Sequence, residues 1–465
     1  MWHRFGRGPL SGMLGLGGGG LRRMGTAAAV KRPRIVVLGS GWGGFTFLNA
    51  IDRERYDVQV ISPTNHFLFT PLLPSSVVGT LEFRAVEEPV RTVKNLGAYF
   101  QATCEKLIPE ERQVVCKEVF GSETFQVKYD YLLVACGATS NTFNTPGIEE
   151  RIGKEVFYLK TLRHARQIRN HILENFERAA IHLMEKEERE KLLSFVIVGG
   201  GPTSCEFVGE LHDFLTQDVT RWFPELIDYI DVTIVEASPR LLGSFDESIS
   251  NLVTTRFTKR GVQVITGVAV TEYDYKRGII KLSNDKEISA GTVVWSAGLK
   301  QVPFIESLEL EKTKPGRLII DDYLMLPNRP EFDNRVFCIG DCAVNVDTPL
   351  APLAQVASQQ GAYLAKQFNN ATVGCEGDFR QKMTQRFEYF SLGSMVTFGG
   401  FQGALDMTQI GKPANNHNMG RLHGVMSFFM WRSAYFLKQT SFRNMIMIPM
   451  FWFLSFVFGR DISRF

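Results

Sequence analysis

The sequence lacks any run of 18 uncharged apolar residues, so no transmembrane helix is predicted. Its seven cysteines are odd in number and scattered, which excludes a disulfide framework. No Cys-x-x-Cys, Cys/His or His-Glu-x-x-His spacing and no EF-hand loop is present, so no metal is expected. The 465 residues, 44% of them hydrophobic and 22% charged, are typical of a globular protein with two or three domains.

The N-terminus lacks acidic residues, the first in the chain being Asp52. Ahead of the first predicted strand, a stretch of glycine, alanine and leucine is interrupted by Arg4, Arg7, Arg22, Arg23, Lys31 and Arg32. Arginine-rich, acid-free starts are typical of mitochondrial transit peptides. We therefore expect residues 1–33 to be a transit peptide and the protein to be mitochondrial. A disordered basic tail is the alternative, because GLGGGG is a poor helix former.

The segment RIVVLGSGWGG (34–44) is a β-branched strand that runs into a G-x-G-x-x-G loop at Gly39, Gly41 and Gly44. Such glycines allow a tight turn and let a pyrophosphate approach the N-terminus of the next helix. A second strand, DVQVIS (57–62), follows, which is the context that this motif requires. This strand ends in Ser62, a weaker ribose partner than an acidic residue.

A second copy of the motif is FVIVGGGPTSCEFVGE (195–210), with Gly199, Gly201 and Ser204 at the three positions. The next strand, DVTIVEA, ends in Glu236, where a carboxylate accepts a hydrogen bond from a ribose 2′-hydroxyl. The spacing is longer than usual, and HDFLTQDVTRWFPELIDYI predicts an extended helix that absorbs the excess. Because a carboxylate repels a 2′-phosphate, this loop is expected to prefer NADH over NADPH.

Two such loops imply two dinucleotides, and RVFCIGDCA (335–343) adds a late strand that ends in Gly340 and Asp341. The three pieces together resemble two-dinucleotide-binding flavoproteins, with FAD at the first loop and NAD(P)H at the second. The resemblance implies an α/β fold with two Rossmann-like domains, and a carboxylate at Asp341 that bonds the FAD ribitol. YDYLLVACGA (129–138) and TVVWSAGL (292–299) resemble the crossover motifs of that superfamily.

Four further segments resemble the type II NADH dehydrogenases, the mitochondrial alternative NADH:ubiquinone oxidoreductases. They are SPTNHFLFTPLLPSSVVGT (62–80), PLAQVASQQGAYLAK (352–366), WRSAY (431–435) and FGRDISRF (458–465). The similarity extends over residues 34–465. It implies non-covalent FAD, hydride transfer from NADH, and delivery of two electrons to ubiquinone without proton pumping.

Carried over by position, the resemblance implies three sets of site residues. FAD would contact Gly39, Ser40, Gly41, Trp42, Gly44, Ser62, Thr70 and Asp341. NADH would contact Gly200, Gly201, Glu206 and Glu236. Quinone would contact Gln355, Gln359 and Tyr435. The two glutamines are four apart and share one helix face, although two surface glutamines are the plain alternative. No acid–base catalytic residue is expected, because the flavin carries the chemistry.

Two other functions remain open from the residues. Sulfide:quinone oxidoreductases use cysteines beside the flavin, a role that Cys136 and Cys338 could be given, although Glu236 argues for NADH. A non-catalytic FAD/NAD-binding sensor is the other alternative. Disulfide reductases are excluded, because no cysteine lies between residues 44 and 102.

The motifs predict a split FAD domain (34–155 and 300–370), an inserted NADH domain (156–299) and a C-terminal module (371–465). Within the NADH domain, residues 163–193 are predicted to form a charged helix with a solvated face. In the C-terminal module, FEYFSLGSMVTFGGFQGAL predicts short strands separated by glycines.

The chain beyond Met407 is basic and ends in an apolar run, MIMIPMFWFLSFVFGRDISRF. Five apolar residues in this segment fall near helical spacing: Leu422, Val425, Met426, Phe429 and Phe436. Basic residues beside such a face indicate helices in the membrane interface. We expect a monotopic enzyme on the inner membrane, on either face, with the run anchored by Arg443, Arg460 and Arg464. Packing on the protein core or in a homodimer is the alternative, and the two can coexist. Nucleic acid is not an expected partner.

Overall fold

A computed structural model describes residues 32–327, 329–371, 379–412, 415–417, 419–439 and 441–464. Nearly all of the predicted transit peptide (1–33) lies outside these residues. Strands and helices are numbered in chain order. The described helices are α1 (Trp42–Ala50), α2 (Leu73–Val77), α3 (Leu162–Ala179), α4 (Lys186–Leu192), α5 (Pro202–Phe214), α6 (Thr220–Trp222), α7 (Glu247–Lys259), α8 (Pro303–Ser307), α9 (Ala354–Asn370), α10 (Phe379–Lys382), α11 (Val425–Leu437) and α12 (Phe442–Phe458).

The first sheet has seven strands. In spatial order they are β20 (Val336–Cys338), β8 (Tyr131–Val134), β1 (Arg34–Leu38), β2 (Asp57–Ser62), β5 (Ala98–Ile108), β6 (Gln113–Glu118) and β7 (Thr124–Lys128). The first five are parallel, and β6 and β7 continue the sheet antiparallel. Strand β1 reads Ile-Val-Val-Leu without alternation, because strands covered on both faces have no solvent side. Helices α1 and α9 lie so close that a Cβ on Gly361 would stand 2.3 Å from the Gly43 carbonyl.

The second sheet has five parallel strands. They are β10 (Val156–Tyr158), β17 (Thr292–Trp295), β11 (Ser194–Val198), β12 (Asp231–Glu236) and β13 (Gln263–Thr266). Beside it lies an antiparallel sheet of β14 (Val270–Asp274), β15 (Ile279–Leu282) and β16 (Glu287–Ser289). The predicted α/β fold with two sheet-based dinucleotide-binding units is confirmed.

Smaller strand pairs complete the sheets. Strands β9 (Ala138–Ser140) and β18 (Leu299–Gln301) pair antiparallel, so the two predicted crossover motifs meet each other. The Trp295 indole N–H donates to the Asn141 carbonyl at 2.9 Å and strengthens that junction. The remaining pairs are β3 (His66–Leu68) with β4 (Glu87–Pro89) and β19 (Leu318–Ile319) with β21 (Ala343–Val344).

The prediction of a single helix over residues 163–193 is wrong, because α3 and α4 are separate helices. Helix α3 buries one face, including Ile168, Ile172 and Phe176, while Arg163 and Arg166 are exposed on its charged face. By contrast, the predicted extended helix ahead of β12 is confirmed. Helix α5 continues through a π-helical turn (Leu215–Val219) into α6, and a 3₁₀ turn (Pro224–Tyr229) follows.

The C-terminal module begins with an antiparallel sheet of β22 (Ser394–Thr397), β23 (Gly403–Asp406) and β26 (Arg421–Gly424), beside the hairpin of β24 (Ile410–Lys412) and β25 (Asn415–His417). The predicted short strands are confirmed, whereas Leu422 lies in β26 and not on a helix. Helices α11 and α12 bury Trp431 and Ile448 and expose much apolar surface. Within the described residues, no helix combines the length and hydrophobicity needed to cross a bilayer.

The three tail arginines expected to anchor the run each bond to the protein. The Arg443 guanidinium donates to the Arg84 carbonyl at 2.6 Å. Arg460 pairs with Asp218 at 2.8 Å, and Arg464 with Glu174 at 3.3 Å. The cations therefore fasten the tail to the protein, and the apolar side chains remain as the outward-facing surface.

Candidate functional site

The first glycine loop (39–44) presents bare backbone to its surroundings. Gly39 has φ +108°, and a Cβ there would stand 2.3 Å from the Ala135 carbonyl oxygen. A Cβ on Gly41 would meet no atom within 4 Å. Gly41 caps α1, and no side chain accepts from the first amides of that helix. Open space beside uncapped helix amides suits a phosphate group.

The other residues predicted at the first loop surround it. Ser40 and Ser62 are buried, and their hydroxyls lie 2.8 Å apart. The Trp42 indole N–H donates to the Thr70 hydroxyl at 2.9 Å. The structure therefore brings Ser40, Trp42, Ser62 and Thr70 together, as the resemblance implies.

The second glycine loop (199–204) repeats this geometry at the start of α5. Gly199 has φ +111°, and a Cβ on Gly201 would again meet no atom within 4 Å. No side chain caps α5. The Glu236 carboxylate accepts from the backbone amides of Gly200 and Ser238, which fixes it at the mouth of the loop. A ribose can still bond to the remaining lone pairs of this carboxylate.

Asp341 lies in a 3₁₀ turn (Gly340–Cys342) that faces the start of α9. Burial raises the pKa of its carboxyl, and Lys160 and Arg317 act in the opposite direction. The buried Gln301 Oε1 has no partner among the described atoms, while its Nε2 donates to the Asp341 carbonyl at 3.4 Å. An unpartnered polar atom on a side chain that bonds the Asp341 backbone fits the expected flavin ribityl chain.

Sequence reasoning missed Lys160, Gln301, Arg317 and Gln360 in this region. Gln360 Oε1 accepts from the Gly340 amide at 2.7 Å and so holds the Asp341 turn against α9. The only sequence signal for Gln360 was its position on the buried face of α9, at helical spacing from Ala357 and Leu364. Nothing in the sequence pointed to the other three, because they reach Asp341 from distant strands and loops.

The two predicted quinone glutamines have their amides occupied by backbone. Gln355 accepts from the Leu392 amide at 3.2 Å and donates to the Gly393 carbonyl at 3.3 Å. Gln359 accepts from the Phe390 amide at 3.0 Å and donates to the carbonyl of the same residue at 2.8 Å. They therefore dock residues 390–393 onto α9.

Glu206, the predicted NADH contact, is buried on α5 and is only 6% exposed. The Trp431 indole N–H donates to Glu206 Oε1 at 3.2 Å. Burial raises the pKa of Glu206 to about 8, although hydrogen bonds from the Thr397 backbone and Trp431 lower it. The carboxyl is therefore mostly protonated at neutral pH.

A row of aromatic rings connects this carboxyl to the first loop. Trp42 packs on Phe69 (ring centroids 5.1 Å apart), Phe69 on Tyr435 (5.8 Å), and Tyr435 on Trp431 (4.8 Å). We call Trp42, Phe69, Tyr435 and Trp431 the aromatic bridge. It joins the predicted quinone residue Tyr435 to the first glycine loop and, through Glu206, to the helix that follows the second, whereas Gln355 and Gln359 are engaged elsewhere.

The cysteines considered for sulfide chemistry are poor nucleophiles. Burial raises the pKa of Cys136 and of Cys338 well above the usual range of a thiol. The thiolate is the reactive form, so neither side chain is activated for attack. Among the described residues, no group of three or more His, Cys, Asp or Glu is arranged to hold a metal ion.

Two family models match the chain. The model described as pyridine nucleotide-disulphide oxidoreductase matches residues 33–361. The model described as the NDH2 C-terminal domain matches residues 401–461.

Similar proteins occur in several eukaryotes. A probable NADH dehydrogenase of Dictyostelium discoideum is 39% identical and covers 96% of this chain and 94% of its own. The mitochondrial internal alternative NAD(P)H-ubiquinone oxidoreductase A1 of Arabidopsis thaliana is 37% identical, over 93% of this chain and 86% of its own. The external NADH-ubiquinone oxidoreductase 2 of Saccharomyces cerevisiae is 33% identical, over 94% and 83%.

Solved structures agree with these matches. NDH2 from Plasmodium falciparum in complex with NADH superposes with a TM-score of 0.84 at 25% identity, covering 93% of this chain and 100% of that one. A sulfide:quinone oxidoreductase from Aquifex aeolicus reaches a TM-score of 0.64 at 16% identity over 92% of this chain and 96% of its own, which shows a shared fold only.

The buried Glu206 carboxyl predicts a pH-dependent stability. Between about pH 4.3, the pKa of an exposed glutamate, and about pH 8, the folded chain keeps a proton that the unfolded chain releases. The free energy of unfolding of the wild-type protein therefore decreases as pH rises through this window. Glu206→Gln cannot ionise, so its stability relative to wild type should increase from pH 5 to pH 8 in urea unfolding. The exposed Glu150→Gln is the control, and parallel curves for Glu206→Gln and wild type would contradict the assignment.

Proposed function

The chain belongs to the type II NADH dehydrogenases within the pyridine nucleotide-disulphide oxidoreductase family, and we propose that it transfers electrons from NADH through FAD to ubiquinone at the mitochondrial inner membrane. It is an FAD-dependent NADH:quinone oxidoreductase that does not pump protons. The observation that carries the proposal is the aromatic bridge, which connects two dinucleotide loops to a helix of the membrane-associated module.

The first loop is proposed to hold FAD. Its open backbone at Gly41, the uncapped start of α1 and the unpartnered Gln301 Oε1 beside Asp341 fit the pyrophosphate and ribityl groups. We assign Gly39, Ser40, Gly41, Trp42, Gly44, Ser62, Thr70 and Asp341 to this site. These residues would hold FAD, whose flavin would supply the acceptor for hydride from NADH and the donor of two electrons to quinone. The protein's part is to position both substrates and to keep water away.

The second loop is proposed to hold NADH, with contacts from Gly200, Gly201, Glu206 and Glu236. Glu236 carries a negative charge where the 2′-phosphate of NADPH would lie, so NADH should be preferred. The neutral carboxyl of Glu206 can stay buried beside a nicotinamide without an adjacent cation, because Trp431 bonds one of its oxygens.

Tyr435 is proposed as the quinone contact. Burial raises the pKa of its phenol, so the hydroxyl keeps its proton and can donate a hydrogen bond. We propose that Gln355 and Gln359 shape the quinone route indirectly, by holding residues 390–393 on α9. This differs from direct bonding to quinone carbonyls, because both amides are already paired.

The exposed apolar side chains of α11 and α12 are proposed to lie in the membrane surface. The large side chains that are more than half exposed include Met426, Phe429, Phe442, Phe453, Phe456 and Phe458. One side of each helix packs on the protein, and these side chains project from the opposite side. A monotopic membrane protein requires this arrangement. A homodimer through the same module is also proposed, since one apolar surface can serve both contacts.

The two half-reactions can be tested separately. Under anaerobic conditions, NADH should bleach the flavin absorbance of the purified protein, and a soluble ubiquinone analogue should restore it. Gly201→Val is the matched control, because its side chain fills the second loop while the first loop still holds flavin. It should keep its colour and bleach far more slowly. Bleaching without re-oxidation by quinone would refute the function and favour a sensor.

Nucleotide choice should depend on Glu236. Glu236→Gln keeps an oxygen that can accept from the Gly200 amide but removes the charge that repels a 2′-phosphate. The NADH-to-NADPH ratio of kcat/KM should fall by about tenfold, equivalent to about 1.4 kcal/mol. An unchanged ratio, with normal flavin content, would show that Glu236 does not read the ribose.

Membrane binding should depend on the apolar face. Phe453 and Phe456 are 62% and 73% exposed on α12. Replacing both with serine should lower partitioning onto liposomes by at least about tenfold, because each phenylalanine contributes about 1.5–3 kcal/mol when buried in an apolar phase. Bleaching by NADH should be unchanged. Phe120→Ser, on the exposed turn between β6 and β7, is the control, and equal binding by all three proteins would contradict the proposal.

A further inference from the structure

The chain after α12 turns back into the protein. Gly459, at φ +83°, ends the helix, and a Cβ at this position would stand 2.7 Å from Asp218 Oδ1. The next two residues enter a polar pocket between α3, α5 and the turn that follows α2. We call Arg460 and Asp461, with their partners Thr80, Arg169, Glu210 and Asp218, the C-terminal clasp.

Arg460 is the centre of the clasp. Its Nη1 donates to Asp218 Oδ2 at 2.8 Å, and its Nε to the Thr80 hydroxyl at 2.8 Å. Its Nη2 lies 3.7 Å from Glu210 Oε2, and its backbone amide donates to Asp218 Oδ1 at 2.9 Å. The side chains of Arg460 and Asp218 are only 10% and 6% exposed. Removing one partner of so buried a pair leaves an uncompensated charge.

Asp461 closes the clasp on α3. Its Oδ2 and its carbonyl oxygen both accept from Arg169 Nη2 at 2.9 Å, and the Arg169 side chain is buried. Two oppositely charged neighbours in the tail therefore bind oppositely charged partners on two different helical segments. Such an arrangement defines one register for the tail.

The clasp acts on the same helix as the aromatic bridge. Glu206 and Glu210 are one turn apart on α5, so both face the C-terminal module. Trp431 of α11 bonds Glu206, and Arg460 faces Glu210, whose oxygens also accept from Ser75 at 2.8 Å and Thr80 at 2.7 Å. The module therefore grips α5 at two successive turns.

The charges around the two glutamates are linked. The negative charge of Glu210 raises the pKa of Glu206, after the larger effect of burial. Glu206 in turn raises the pKa of the Cys205 thiol and of the Tyr435 phenol, after the larger effect of burial in each case. Arg432 of α11 lies near both Glu210 and Arg460. Arg460 is thus the tail's own counter-charge to Glu210.

We propose that Arg460 is a positioning residue: by binding Asp218, Thr80 and Glu210 together, it holds α5 against α11 so that Glu206 stays bonded to Trp431 beside Tyr435. The inference rests on the proposed function, because it concerns the junction between the NADH loop and the quinone contact. In this proposal the Gly-Arg-Asp segment (459–461) couples the two substrate sites, and the apolar face of α12 contacts the membrane separately.

The test compares Arg460→Met with Arg464→Met, a matched tail variant whose wild-type arginine is 56% exposed and pairs with Glu174 at the surface. Hydrogen exchange of residues 442–464 and of α5 reports the grip without any turnover. Arg460→Met should raise exchange in both segments by at least about tenfold, whereas Arg464→Met should leave α5 unchanged. Equal exchange in wild type and Arg460→Met would overturn the proposal.

A pH profile separates positioning from simple loss of stability. The rate of anaerobic flavin bleaching by NADH is measured as a function of pH. In Arg460→Met the uncompensated Glu210 charge should raise the pH at the midpoint of this rate profile by about one unit. Adding Glu210→Gln removes that charge and should return the midpoint to the wild-type value. A midpoint that does not move, or that the second substitution does not restore, would overturn the inference. Liposome binding should be unchanged in every variant, and its loss would instead make the clasp part of the membrane anchor.

Two further controls keep the outcomes distinct. If Arg460→Met does not fold, Arg460→Lys keeps the charge on a single nitrogen but loses the planar fork whose separate nitrogens face Asp218, Thr80 and Glu210. It should give a smaller rise in exchange, and wild-type exchange would overturn the proposal. If wild type is not bleached by NADH, the proposed function falls, while the exchange measurement still tests the grip on α5.

Discussion

Glu206 is buried with no ion-pair partner among the described residues, and such a carboxyl is tolerated when it is neutral and hydrogen-bonded, a constraint on how the helices around it pack. Its hydrogen bond from Trp431 requires α11 to lie against α5, the helix that starts at the second glycine loop. Since Trp431 packs on Tyr435, and Tyr435 on Phe69, the same requirement places the C-terminal module against the first loop. This one carboxyl therefore links α5 directly to α11 and, through the aromatic bridge, to the first loop.

Around that junction, the two glycine loops solve the same problem twice. Each presents an uncapped helix start and an open position, at Gly41 and at Gly201, where any side chain would occupy the space of a phosphate. The second environment differs, because Ser62 ends β2 whereas Glu236 ends β12. One loop is thus bounded by a hydroxyl and the other by a carboxylate, and the proposed preference of the second site for NADH depends on this difference.

The proposed membrane contact and the fixation of the tail involve different side chains of the same segment. The phenylalanines of α12 face outward, while Arg460 and Asp461 turn inward onto Asp218 and Arg169. An arginine near an apolar run is therefore not by itself a lipid anchor. Burial with acidic partners distinguishes Arg460 from a cation that contacts headgroups.

Local patterns in the sequence determined the two strand–loop–helix units, the short strands of the C-terminal module and the acidic ends at Glu236 and Asp341. Each depends on neighbours within a few residues, through backbone sterics or strand and helix periodicity. Only the tertiary structure decided that Gln355 and Gln359 bind the backbone of 390–393, that Gln360 holds the Asp341 turn, and that Arg460 pairs with Asp218. Those partners lie between 20 and 242 residues away. A side chain's hydrogen-bonding capacity is written in its type, but its partner is set by which distant segments the packed core brings within about 3 Å of it.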